Sequence, residues 1–130
     1  MDSLLLQDWI SVADNGPTSP GIAQGAPGYI DVSEYQDLVF YLHVPSPITS
    51  GPLPQIEYQT SPSADDASFL PMVVVPSTFL GGGVLVTTVL GKYASVPPAK
   101  YVRWFCSNGT NGGYQAQCTF RIWMSGVRMP

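Results

Sequence analysis

Apolar residues along this chain come in short runs, most of them alternating with polar or small residues, a pattern that favours many short strands over long helices. Leu4 to Val12 reads as a short strand or a helical turn, with strand the better fit. Thr18 to Gly28 is small, polar and uncharged, as a loop or extended arm would be. Tyr29 to Val32 reads as a second strand. In Asp37 to Val44, Leu38, Phe40, Leu42 and Val44 fall on one face and Val39, Tyr41 and His43 on the other. Both faces are largely apolar, which predicts a central strand covered on both sides. Gln55 to Thr60 alternates as a half-exposed strand. Phe69 to Val75 contains Pro71 and reads as an edge strand or two short pieces. The β-branched run Val84 to Leu90 is a further strand.

Near the C-terminus, Tyr101 to Ser107 and Gln117 to Ser125 flank the turn-forming segment Asn108-Gly109-Thr110-Asn111-Gly112-Gly113 and predict a hairpin. In that hairpin Cys106 faces Cys118, Trp104 faces Phe120 and Val102 faces Ile122 on one apolar side. Tyr101 against Trp123, Phe105 against Thr119 and Arg103 against Arg121 make up the other side. Roughly seven or eight strands with turns every ~8–12 residues predict an all-β fold, an antiparallel two-sheet β-sandwich or jelly roll. Residues 1–28 form an N-terminal strand and extended arm or loop, and residues 29–130 form the sandwich domain.

Charge changes this picture. Only 11% of the 130 residues are charged, against roughly 25% in an ordinary soluble domain. All nine carboxylates lie between Asp2 and Asp66, and the five cations are Lys92, Lys100, Arg103, Arg121 and Arg128. A chain sorted in this way either pairs its two ends internally or offers unlike faces to neighbours. A net charge of −4 and so few cations argue against nucleic acid as the main partner. No stretch approaches the ~20 apolar residues of a membrane span. The N-terminus lacks the basic start and longer apolar run of a signal peptide, so synthesis and use without crossing a membrane is expected.

The candidate chemistry is thin. Arg103 and Arg121, opposed on one sheet face, repel and call for something negative between them, with Asp31, Glu34 and Asp37 the nearest supply. An anion or partner-carboxylate site and an internal sheet-to-loop salt bridge are both open. Tyr101 and Trp123 share that face, so a partner-binding site would comprise Tyr101, Arg103, Arg121 and Trp123. Cys106 and Cys118 are a possible cross-strand cysteine pair, with reduced and buried thiols the simpler reading. Two sulfurs and one distant histidine cannot complete a zinc shell, and the carboxylates lack dense calcium-loop spacing. His43 has no Gly-x-Ser-x-Gly elbow to serve, so no catalytic residues and no cofactor are assigned. Asn108-Gly109-Thr110 satisfies the N-glycosylation pattern but is more economically a turn. The tryptophans Trp9, Trp104 and Trp123 could stack sugars if exposed.

Three phrases carry a resemblance: Asp31-Val-Ser-Glu-Tyr-Gln-Asp-Leu-Val-Phe-Tyr-Leu-His-Val44, Tyr58-Gln-Thr-Ser-Pro-Ser-Ala-Asp-Asp-Ala-Ser-Phe69 and Tyr101-Val-Arg-Trp104. They resemble small jelly-roll auxiliary proteins, capsid decoration and minor structural components, of tailed bacteriophages. The resemblance spans roughly Tyr29 to Ser125. It implies a virion protein made in the host cytoplasm, without catalytic residues, whose partners are the major capsid protein, other virion subunits and copies of itself. The alternative on the same architecture is a carbohydrate-binding module. A small hydrolase, resting on His43 and generic hydroxyls, ranks last.

Overall fold

A computed structural model of the chain describes residues 2–15, 21–25, 28–44, 55–75, 85–91, 96–107 and 115–129, with side chains for all but 13–15, 85–91, 107 and 115–118. The strands are β1 (Asp2–Asn15), β2 (Ile22–Ala23), β3 (Ile30–Asp31), β4 (Tyr35–His43), β5 (Gln55–Ser61), β6 (Leu70–Val75), β7 (Leu85–Gly91), β8 (Tyr101–Ser107) and β9 (Gln115–Arg128). No α-helix occurs among the described residues; a 3-10 turn spans Asp66–Ser68, where the Asp65 carboxylate caps by accepting from the Ala67 amide.

Pairing runs from the ends of the chain inward. β1 pairs with β9, β2 and β3 with β8, β4 with β7, and β5 with β6, all antiparallel. That nesting describes one long ribbon. Rolling the ribbon over adds β4 beside β9 and β5 beside β8. Two sheets result, ordered β1-β9-β4-β7 and β2-β8-β5-β6, with β3 also on β8. Counting β2 and β3 as one broken strand, this is the connectivity of a jelly roll.

The hairpin expected from Tyr101 to Ser125 therefore does not exist. Its two strands form, but β8 and β9 belong to opposite sheets. Their apolar faces meet across the core instead of side by side, and Trp104 and Phe120 touch edge to face with centroids 5.0 Å apart. Arg103 and Arg121 consequently point away from each other, outward from different sheets. Cys106 and Cys118 are not cross-strand neighbours; Cys106 is buried on β8, while Cys118 sits opposite Val12 in the β1–β9 register. The Cys118 side chain and the segment 108–114, with its glycosylation pattern, lie outside the described residues.

A second aromatic pair also bridges the sheets: Phe40 of β4 stacks on Tyr58 of β5 at 4.1 Å. Around these pairs Leu38, Leu42, Ile56, Val102, Ile122 and Met124 close the interior. The Tyr58 hydroxyl is buried with no hydrogen-bond partner among the described residues, and burial pushes its pKa up. Pro71 lies on β6 at the edge of its sheet, beside a register shift in β5, where a missing amide does least harm.

The N-terminal region is not set apart from the sandwich. β1 runs the length of β9, and β2 pairs with Cys106 and Phe105. Residues 16–20 and 26–27 of the expected arm lie outside the described residues. Gln24 stitches the two layers. Its side-chain amide donates to the Leu6 carbonyl at 2.6 Å and the Gly28 carbonyl at 2.9 Å, and its oxygen accepts from the Trp104 amide at 3.3 Å. The Trp104 indole donates to Gln7 Oε1 at 2.9 Å.

The two ends of the chain pair internally. Arg128 reaches Asp2 and Glu34, each at 2.7 Å, and the Tyr35 hydroxyl donates to Asp2 at 2.9 Å. The Tyr35 hydrogen bond, aided by Arg128, holds the Asp2 carboxyl below its ordinary range. The Tyr35 ring lies flat against Gly126, where a Cβ would meet Tyr35 Cδ1 at 2.5 Å.

Two outcomes test this account. Tyr58→Phe removes a buried hydroxyl that has no hydrogen-bond partner among the described residues and keeps the Phe40 stack, so it should stabilise the fold by about 1 kcal/mol; denaturant unfolding with a lower midpoint would contradict it. Deleting residues 1–15 opens the edge of β9 and strips partners from Gln24 and Trp104. We expect loss of a cooperative melt by circular dichroism, whereas an unchanged Tm would show that β1 is dispensable.

Candidate functional site

Strand alternation sends every second side chain of β1, β9 and β4 to the outer face of the four-stranded sheet. Register aligns them in rows. Leu5, Trp123 and Tyr41 lie side by side across the three strands. In the next row Arg121 stands opposite His43, and the space beside them is taken by Trp9. Two register shifts in β1, between Leu5 and Gln7 and between Gln7 and Ile10, give that strand extra residues. Bulges of this kind re-aim side chains, and here Trp9 is swung over its neighbours.

The geometry of this second row is specific. The Arg121 guanidinium carbon lies 4.6 Å from the Trp9 ring centroid, a cation–π contact. The Trp9 and His43 rings are 5.1 Å apart at 56°. Arg121 Nη2 is 3.4 Å from His43 Nδ1, and Arg121 Nε is buried with no hydrogen-bond partner. No carboxylate among the described residues comes within ion-pair distance of Arg121. Leu5, Trp9 and Trp123 remain 40%, 43% and 38% exposed. Small hydroxyl residues border the patch: Ser3 and Ser125 on one side, and Ser11 bonded to Thr119 at 2.6 Å on the other. An aromatic and aliphatic centre inside a polar rim is the anatomy of a protein interface.

Arg103, on the outer face of the other sheet, has the opposite fate. Its side chain is 7% exposed. Nε donates to Gln59 Oε1 at 2.8 Å, and Nη1 donates to the Tyr29 hydroxyl at 2.9 Å and to Asp66. Phe69 lies under the guanidinium at 4.1 Å. The connection between β5 and β6 thus folds over this sheet, which is why Gln59 and Ser61 are buried on its outer side.

Of the four residues expected to share one partner-binding face, the fold separates two pairs. Trp123 and Arg121 lie together on the open face. Tyr101 and Arg103 are on the other sheet, with Tyr101 half-buried and Lys100 Nζ 5.4 Å from its ring. Arg103 takes its counter-charge from Asp66, not from Asp31, Glu34 or Asp37. β4 is central as expected, yet Val39, Tyr41 and His43 are only half-buried, so its outer side is not covered. Leu5 is no part of the expected site, and Trp9 enters it only as one of three tryptophans that could stack sugars. The two-sided apolarity of β4 was a visible signal for the patch, whereas the bulges of β1 left none.

Among the described residues no group of three or more His, Cys, Asp and Glu could hold a metal ion. No protein-family model matches the chain, and comparison with curated proteins finds no relative.

The sealed arginine makes a stability prediction. Asp66→Asn leaves a buried guanidinium facing a neutral amide, and because the carboxylate itself is exposed the loss should be modest, about 1 kcal/mol. Arg103→Ala also removes packing on Phe69 and the bonds to Gln59 and Tyr29, and should cost more, about 2–4 kcal/mol. Equal effects in urea unfolding would mean that Arg103 acts only through its charge.

Proposed function

We propose that this protein is a non-catalytic virion structural subunit, a capsid decoration or cementing protein that binds and stabilises a viral shell. The observation that carries this reading is the outer face of the four-stranded sheet. On a chain with few charges it leaves two tryptophans and a leucine in water, ringed by hydroxyls, as a surface shaped for a protein neighbour does. The jelly-roll connectivity agrees with the resemblance to phage auxiliary proteins. His43 has Trp9 and Arg121 for described neighbours, neither a nucleophile nor an orienting carboxylate. A stiff sandwich offering one such face gains avidity when many copies bind one symmetric shell.

Sugar binding is favoured by a single observation, the exposure of Trp9 and Trp123 on one face. Against it, the Trp9 ring already carries Arg121 and touches His43, which leaves less of its face for a sugar to stack on.

Particles purified from cells that express the genome encoding this chain decide between these readings. Mass spectrometry should find the chain in fixed proportion to the shell protein, and Trp9→Ser with Trp123→Ser should release it from particles while its Tm is retained. Absence from the particles, or a positive glycan array abolished by the same substitutions, overturns the structural role.

A further inference from the structure

On the reading that the aromatic face is a docking surface, we infer that Arg121 is the receptor for a carboxylate carried by a second copy of this chain. Three features of the site lead there. The guanidinium carbon lies over the Trp9 ring at 4.6 Å, a contact that restricts the arginine side chain before anything binds. Its Nε is buried with no acceptor among the described residues. Among them its side-chain hydrogen bonding is the long contact to His43 Nδ1, which supplies no negative charge. A partner that covered this face with apolar atoms alone would strand the cation. A partner bringing a carboxylate to the solvent-facing side of the guanidinium supplies the missing negative charge.

The chain itself supplies that group. Its net charge is −4. Asp2 and Glu34 are taken by Arg128, and Asp66 by Arg103. Asp8, Asp31 and Asp65 are exposed and make no ion pair among the described residues. Asp8 adjoins Trp9 on β1, whereas Asp31 belongs to β3 and Asp65 to the β5–β6 connection, both at the sheet that does not carry Arg121. A contact through Asp8 pairs like faces, and one through Asp31 or Asp65 joins unlike surfaces of two copies. Contacts of the latter, heterologous kind propagate into rings or layers instead of stopping at a pair. The segregation of acids to the first half of the chain and bases to the second becomes, on this account, a device for assembly.

Sedimentation velocity of the full-length protein over a wide concentration range tests it. We expect the wild type to self-associate, to a dimer through Asp8 or beyond one through Asp31 or Asp65, with association weakening as salt rises. Arg121→Gln should weaken association at least about tenfold, and Arg121→Lys, which keeps charge but loses the fork, should fall between. Unchanged Tm and near-ultraviolet circular dichroism will show that the variants are folded. Trp123→Ser separates the two levels of the argument. If it weakens association while Arg121→Gln does not, the carboxylate receptor is wrong and the docking face stands. If neither substitution alters an association that does occur, both are wrong. A wild-type protein that stays monomeric at every concentration overturns the second-copy inference, and binding to shells is then judged by the particle experiment alone.

Discussion

Two aromatic contacts across the sandwich, Trp104 on Phe120 and Tyr58 on Phe40, are what the rest of the molecule depends on. Each joins one sheet to the other, so together they set which faces look inward. Large rings bury more surface than any other side chain and have a preferred geometry, and two such contacts limit sliding of one sheet over the other. The hydrogen bonds that Trp104 makes to Gln7 and Gln24 extend the same constraint to β1 and β2. The beginning of the chain is thereby tied to its late strands.

With the inward faces set, the outward ones follow by alternation, and the two sheets treat them differently. One sheet is sheltered by the β5–β6 connection, which lays Asp66 and Phe69 over Arg103. The other leaves Leu5, Trp9 and Trp123 in water. The chain covers one flank with its own loop and leaves the other apolar and open, a face that is an aggregation hazard on a lone molecule.

Arg103 and Arg121 show how far environment outruns identity. They are the same residue type on consecutive strands of the chain, each beside an aromatic ring. Arg103 has a carboxylate, an amide oxygen and a phenol around it, and is structural. Arg121 has a histidine nitrogen at 3.4 Å and an unsatisfied Nε, and is available. What divides them is the loop that reaches one sheet and not the other.

Period-two alternation is a local property, so it was legible in the chain: the strand at Asp37–Val44, the edge strand broken by Pro71, the β-branched run before Gly91 and both C-terminal strands could be read directly, as could a two-layer all-β architecture. The apolar sets Val102, Trp104, Cys106 and Phe120, Ile122 were also readable as one apolar face. Whether two adjacent strands pair edge to edge or face each other across a core was not, because the alternation is the same in both cases. The choice belongs to the nested pairing of β1 with β9 and β2 with β8, between residues some hundred positions apart, and the turn signal at 108–114 carried no trace of it. The acidic partner of Arg103, the swing of Trp9 and the solitary state of Arg121 are consequences of that same long-range pairing. The chain by itself determined which residues are strands and which faces are apolar; the tertiary structure alone decided which faces meet, because contact across a core depends on topology and not on local spacing.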